Sequence, residues 1–166
     1  MVSYKIMEVK AFMAKLLAST AFDGFILKEM ELDTFTSFKI SGQLNEDFFS
    51  KDELEARDDT NNVYWSEVKP IAYNMIKGNR TPLSLKVVLQ LANKQVQDMA
   101  DMFAGKLRTE DIGGLFLNIR FEKGELRIIT GVAIKTFLLD KTLEHEWDAR
   151  VSRMLKDYGI AFETES

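Results

Sequence analysis

Apolar residues along this chain recur at two spacings, every second position or every third to fourth, and the switches between them divide it into strands and helices. Val9, Phe12, Met13, Leu16 and Leu17 form one stripe at helical spacing, predicting a helix over about 7 to 19. "FDGF" breaks it, and "FILKEMELD" and "TFTSFKISGQL" read as two strands. In the second of these, Phe38, Ile40 and Leu44 alternate with Lys39, Ser41 and Gln43, the period of a sheet with one wet face. A short helix near 46 to 56 and a loop through "RDDTNN" follow. Ser66 then reads as the cap of a helix striped by Val68, Ile71, Ala72, Met75 and Ile76 and stopped by Gly78. That cap places Pro70 in the first turn, where a missing N–H costs little.

The strongest strand is "LSLKVVLQLA", with Leu83, Leu85, Val87, Leu89 and Leu91 on one side and Lys86 and Val88 on the other. Asn93 reads as the cap of a helix that turns Val96, Met99, Ala100 and Phe103 one way and ends at Gly105. In "GLFLNIRFEKGELRIITGVAIK", a two-residue turn at Lys123 and Gly124 pairs Phe121 with Leu126, Ile119 with Ile128, Leu117 with Thr130 and Leu115 with Val132. The last helix is expected over about 140 to 158, followed by a short tail. Together these elements predict a single α+β domain over 1–166: one layer of mainly antiparallel sheet, about five strands, with four to five helices packed on it.

Composition agrees and narrows the chemistry. A chain of 166 residues with 46% hydrophobic residues and two prolines can bury its own core. No cysteine and one histidine leave no thiolate chemistry and no cysteine- or histidine-rich metal centre. No metal or cofactor is therefore expected. No apolar run reaches bilayer length, so the chain is expected to be cytoplasmic with no membrane partner. The net charge is −4, and residues 46 to 59, with seven acids and two bases, carry −5 of it, leaving about +1 elsewhere by difference. Such a chain lacks the basic footprint of nucleic-acid binding.

Three features compete for a functional role. The only histidine, His145, sits in "TLEHEWDARV" among Glu144, Glu146 and Asp148. At 100° per residue, Leu143, Trp147, Val151, Met154, Leu155 and Tyr158 form the inward arc and His145 points about 145° from its centre. This is a solvated helix face, with Glu146 and Arg150 at a favourable spacing of four. In the hairpin, Arg120 stands opposite Arg127, and like charges so placed need neutralising. Diagonal pairing with Glu122 and Glu125 would do it; so would an anionic ligand or an acidic partner. Asn118 shares that face with Phe116, Ile129 and Ala133, which makes it mixed rather than plainly solvated, and Lys86 stands on the more polar side of its own strand. Thirdly, Trp65 lies beside the acidic segment, where an aromatic either packs on the next helix or meets a partner.

The segments "VKAFMAKLL", "FDGFIL", "TFTSFKISGQLNEDFF" and "IKGNRTPLSLKVVLQL" resemble those of a small bacterial family of unknown function. The resemblance implies a single-domain bacterial protein and brings no activity, cofactor or catalytic residue with it. The leading expectation is a non-catalytic binding or interaction protein, acting through Arg120, Arg127, Asn118, Lys86 and Trp65 and forming a homo-oligomer through Phe116, Ile129 and Val88. The alternative is a small-molecule-binding protein, or a carboxylate-based enzyme, with its site between sheet and helix.

Overall fold

A computed structural model describes residues 1–59, 61–78, 80–103, 105, 107–135 and 141–165. It is an α+β fold built on one antiparallel sheet. The strands are β1 (Ser3–Ile6), β2 (Ile26–Asp33), β3 (Ser37–Ser41), β4 (Ser84–Gln90), β5 (Ile112–Glu122), β6 (Glu125–Ile134) and β7 (Phe162–Glu165), in the order β3-β2-β4-β5-β6-β1-β7. The helices are α1 (Val9–Ala18), α2 (Lys51–Glu55), α3 (Trp65–Ile76), α4 (Asn93–Asp101) and α5 (Thr142–Asp157). The sheet thus has seven strands where periodicity predicts about five. The two additional ones, β1 and β7, are four residues each, too short to show a period; β1 pairs with β6, and β7 pairs with β1 at the edge.

The hairpin register is the one the apolar pairing predicts, from Leu115 opposite Val132 to Phe121 opposite Leu126. Its turn needs two residues at positive φ, and Lys123 (φ 52°) and Gly124 (φ 78°) supply them. A glycine is demanded elsewhere by crowding: a Cβ on Gly42 would lie 1.8 Å from the carbonyl oxygen of Leu27, where β2 bulges.

On the inner face, Leu32, Met30, Leu85, Val87, Leu89, Leu117, Ile119, Ile128, Leu126, Tyr4 and Ile6 are buried. They join Phe12 and Leu16 of α1, Trp65 and Ala72 of α3, Val96 and Met99 of α4, and Leu143, Trp147, Val151 and Leu155 of α5 in one cluster. A buried polar residue, Thr130, sits within this face. It accepts the Val2 N–H at 2.8 Å and donates to the Asp148 carboxylate, tying sheet to helix. Asp148 is therefore turned toward the sheet rather than outward with His145, which is exposed.

Two helix starts differ from expectation. Tyr64, not Ser66, caps α3, its N–H donating to Glu67 at 2.9 Å. Pro70 then lies beyond the first turn, and both it and Ser66, whose carbonyl loses a donor, are exposed to water. Ala92 flanks α4, with Asn93 its first residue. Asn79 and Asp140 lie outside the described residues. Among the described residues, no helix is long and apolar enough to cross a membrane.

Candidate functional site

Strand register sorts the sequence-predicted residues onto the outer face of the sheet. One row runs Lys39, Glu31, Lys86, Arg120, Arg127, Lys5, Glu163 from β3 to β7. The next runs Ser41, Glu29, Val88, Asn118, Ile129, Ser3, Glu165. Four cations thus stand on adjacent strands, with acids on both flanks. The acids answer most of them. Lys86 meets Glu29 at 2.9 Å. Arg127 meets Glu125 and Glu165, each at 2.8 Å, and Lys5 reaches Glu125 at 3.6 Å. Hydrogen bonds from Arg127 hold both carboxyls below the usual carboxylate range. The predicted Glu125 pairing is present, and Glu165, from a segment read as tail, is its second half. Arg120 is exposed and has no ion-pair partner among the described residues, Glu122 included.

The apolar part of this face is quieter than expected. Val88, Asn118 and Ile129 lie side by side, and the Asn118 amide donates to the Ile129 carbonyl at 3.1 Å. The Phe116 ring lies against Gly114, where a Cβ would stand 2.5 Å from a ring carbon. Trp65 takes no part. It is fully buried, its indole N–H donates to the Leu16 carbonyl at 2.8 Å, and it is closed to any partner.

The acidic segment is likewise anchored. Arg57 makes two bonds to Glu67, at 2.7 and 2.9 Å, and lies over the Phe49 ring. Arg57 in turn holds the Glu67 carboxyl below its ordinary range. Asp59, the one buried carboxylate among the described residues, accepts the N–H groups of Asn61 and Asn62 at 2.8 Å and organises that turn.

The helical side holds what the periodicity did not reveal. A cleft of about 460 Å³ opens between α5, the start of α4 and residues 21–25. Phe25, Leu91, Trp147, Val151, Met154 and Tyr158 line it, with Arg150, Arg153, Gln95 and Asp157 among its polar groups. Trp147 is fixed by its indole N–H to the Phe116 carbonyl, 3.0 Å, and Tyr158 by its hydroxyl to the Ala21 carbonyl, 2.7 Å. Burial, and then Asp157, pushes the Tyr158 hydroxyl above its ordinary pKa. Arg150 and Arg153 have no ion-pair partner among the described residues, and the expected Glu146–Arg150 pair is not formed. An adjoining hollow shares Gly24 and Gln95 and extends toward Asp58, Asp59 and Tyr64. A separate apolar cleft of about 390 Å³ lies between α1 and the end of α3, lined by Val9, Met13, Ile76, Pro82 and Phe121. Among the described residues, no group of three histidines, aspartates or glutamates is placed to hold a metal.

No curated protein matches the chain, and no solved structure does. A family match covers residues 15–163, from within α1 into β7, and the chain belongs to that family, the family of unknown function DUF5721.

Proposed function

We propose that this chain is a bacterial, cytoplasmic, non-catalytic binding protein whose ligand is a small molecule seated between sheet and helix, in the cleft bounded by α5, α4 and residues 21–25. The supporting observation is the unequal state of two of its open surfaces, the outer face of the sheet and this cleft. On the outer face, three of the four cations on adjacent strands, Lys5, Lys86 and Arg127, are already met by carboxylates, which leaves Arg120, and the Phe116 ring packs against Gly114. The cleft keeps an apolar floor and two arginines, Arg150 and Arg153, with no ion-pair partner among the described residues, and a few polar groups over apolar surface are the usual make-up of a small-molecule site. A catalytic reading would gain from two buried carboxylates sharing a pocket. The buried Asp59 instead serves its own turn.

The uncharged fluorophore N-phenyl-1-naphthylamine, which brightens in apolar surroundings, tests the site. Saturable binding at one molecule per chain is expected, with loss in Gly24→Phe. Position 24 lines the cleft and a Cβ there meets open space, so the new ring blocks the cleft without straining the turn. Undiminished binding by that variant would sink the reading. A second reading, a homodimer across the outer face, draws on the contiguity of Val88, Ile129 and Phe116. Sedimentation showing a monomer over a hundred-fold concentration range would remove it.

A further inference from the structure

We infer that the cleft selects a small organic anion with a flat apolar body, an inference that rests on the cleft being the binding site. Arg150 and Arg153 stand three apart on α5, so their side chains are neighbours on one helix face. Two like charges held together call for an anion. The helix offers two at the right spacing, Glu146 four residues before Arg150 and Asp157 four after Arg153, yet neither forms an ion pair with them. Both arginines line the cleft with no ion-pair partner among the described residues, and a guanidinium's planar fork matches a carboxylate, sulfonate or phosphate oxygen pair. Among the described residues, Asp157 is the one carboxylate lining the cleft, against Arg150 and Arg153. The remaining walls set the rest of the ligand. Tyr158, half-buried, offers aromatic surface and Met154 aliphatic surface, over a floor of the buried Phe25, Leu91 and Trp147, and a flat ring can lie against such a wall.

Two probes with the same aromatic skeleton isolate the charge: 1-anilinonaphthalene-8-sulfonate carries a sulfonate and N-phenyl-1-naphthylamine does not. The native protein should bind the sulfonate about ten-fold more tightly, the effect of one charge-assisted hydrogen bond in a half-open site. Arg150→Gln and Arg153→Gln together should erase that preference, bringing the affinity ratio of the two probes to about one, and each alone should lose about half of it on a logarithmic scale. Arg120→Gln, on the outer face, should leave it intact. Circular dichroism checks that each variant is folded, and the single variants decide if the double one is not. Equal affinity for the two probes in the native protein, or a preference that survives in the arginine variants, overturns the inference while the cleft still holds the neutral probe. Failure of both probes to bind removes the cleft reading and the inference together.

Discussion

The two faces of the sheet obey different rules, and adjacent residues on β6 show how sharply. Ile128 points into the core and is fully buried; Ile129, one residue on, points out and is half-exposed. Inside, apolar residues from five of the strands meet stripes from four helices, and each side chain is fixed by shape. Outside, order comes from charge: acids on β2, β6 and β7 answer cations on β1, β4 and β6. The inner face therefore carries the stability, and the outer face can change with little loss. In the proposed reading the ligand sits in the cleft, where Arg150 and Arg153 stand together without ion-pair partners among the described residues, and not on the outer face, where Arg120 stands among cations already met by acids.

The contrast can be broken most directly on β6. Ile128→Ala should cost about 2–5 kcal/mol by urea denaturation, as buried large-to-small changes do. Ile129→Ala should stay within about 1 kcal/mol. If the two cost the same, something covers the outer face, and a concentration-dependent Tm would identify that cover as a second copy. Next in size is Thr130→Val, which strands the Val2 N–H and an Asp148 oxygen on the inner face. A loss of about 1–3 kcal/mol is expected, and a smaller one would mean that water reaches the pair.

The smallest effects separate the two hairpin arginines. Arg127→Ala should destabilise measurably and Arg120→Ala by no more than about 0.5 kcal/mol. The former carries a pH signature. Glu125 and Glu165 have carboxyls held below their ordinary values by Arg127, so their contribution is present in full above the unfolded-state carboxylate pKa. It is lost as the pH falls through the lower folded-state values. The gap between native protein and Arg127→Ala should accordingly close in acid, and molar salt should narrow it at neutral pH. A gap that persists in acid would assign Arg127 a packing role instead.

Much of this inner face was legible in the chain because burial on one side writes a period into the sequence. The β5–β6 register followed from apolar matches alone, and α5 displayed both its inward arc and its outward His145. β1 and β7 were not legible, since four residues hold two alternations at most and "FETE" reads as polar tail. Their absence from the reading hid Glu165, and with it half of the answer to Arg127. Capping misled for a related reason: Ser66 is a better cap by type, yet the backbone turns at Tyr64, where Glu67 can reach back and Trp65 can enter the core. The cleft was invisible for a different cause. It joins residues 21–25, 91–95 and 147–158, which only the folded chain brings together, and no linear spacing records that an arginine lacks its acid.

The position of β1 between β6 and β7 also sets an order of assembly. As the chain emerges from the ribosome, the first strand has no partner until residues 126–129 are made, and its other edge waits for 162–165. Meanwhile β2 through β6 can form a sheet from nearer neighbours. β1 must therefore wait, its alternate residues Tyr4 and Ile6 uncovered, while over a hundred residues are added. Closing so long a loop is expected to make this edge among the last parts of the sheet to form. Truncation before residue 162 should leave the sheet present but its border unsealed, with the Arg127 charge answered on one side only.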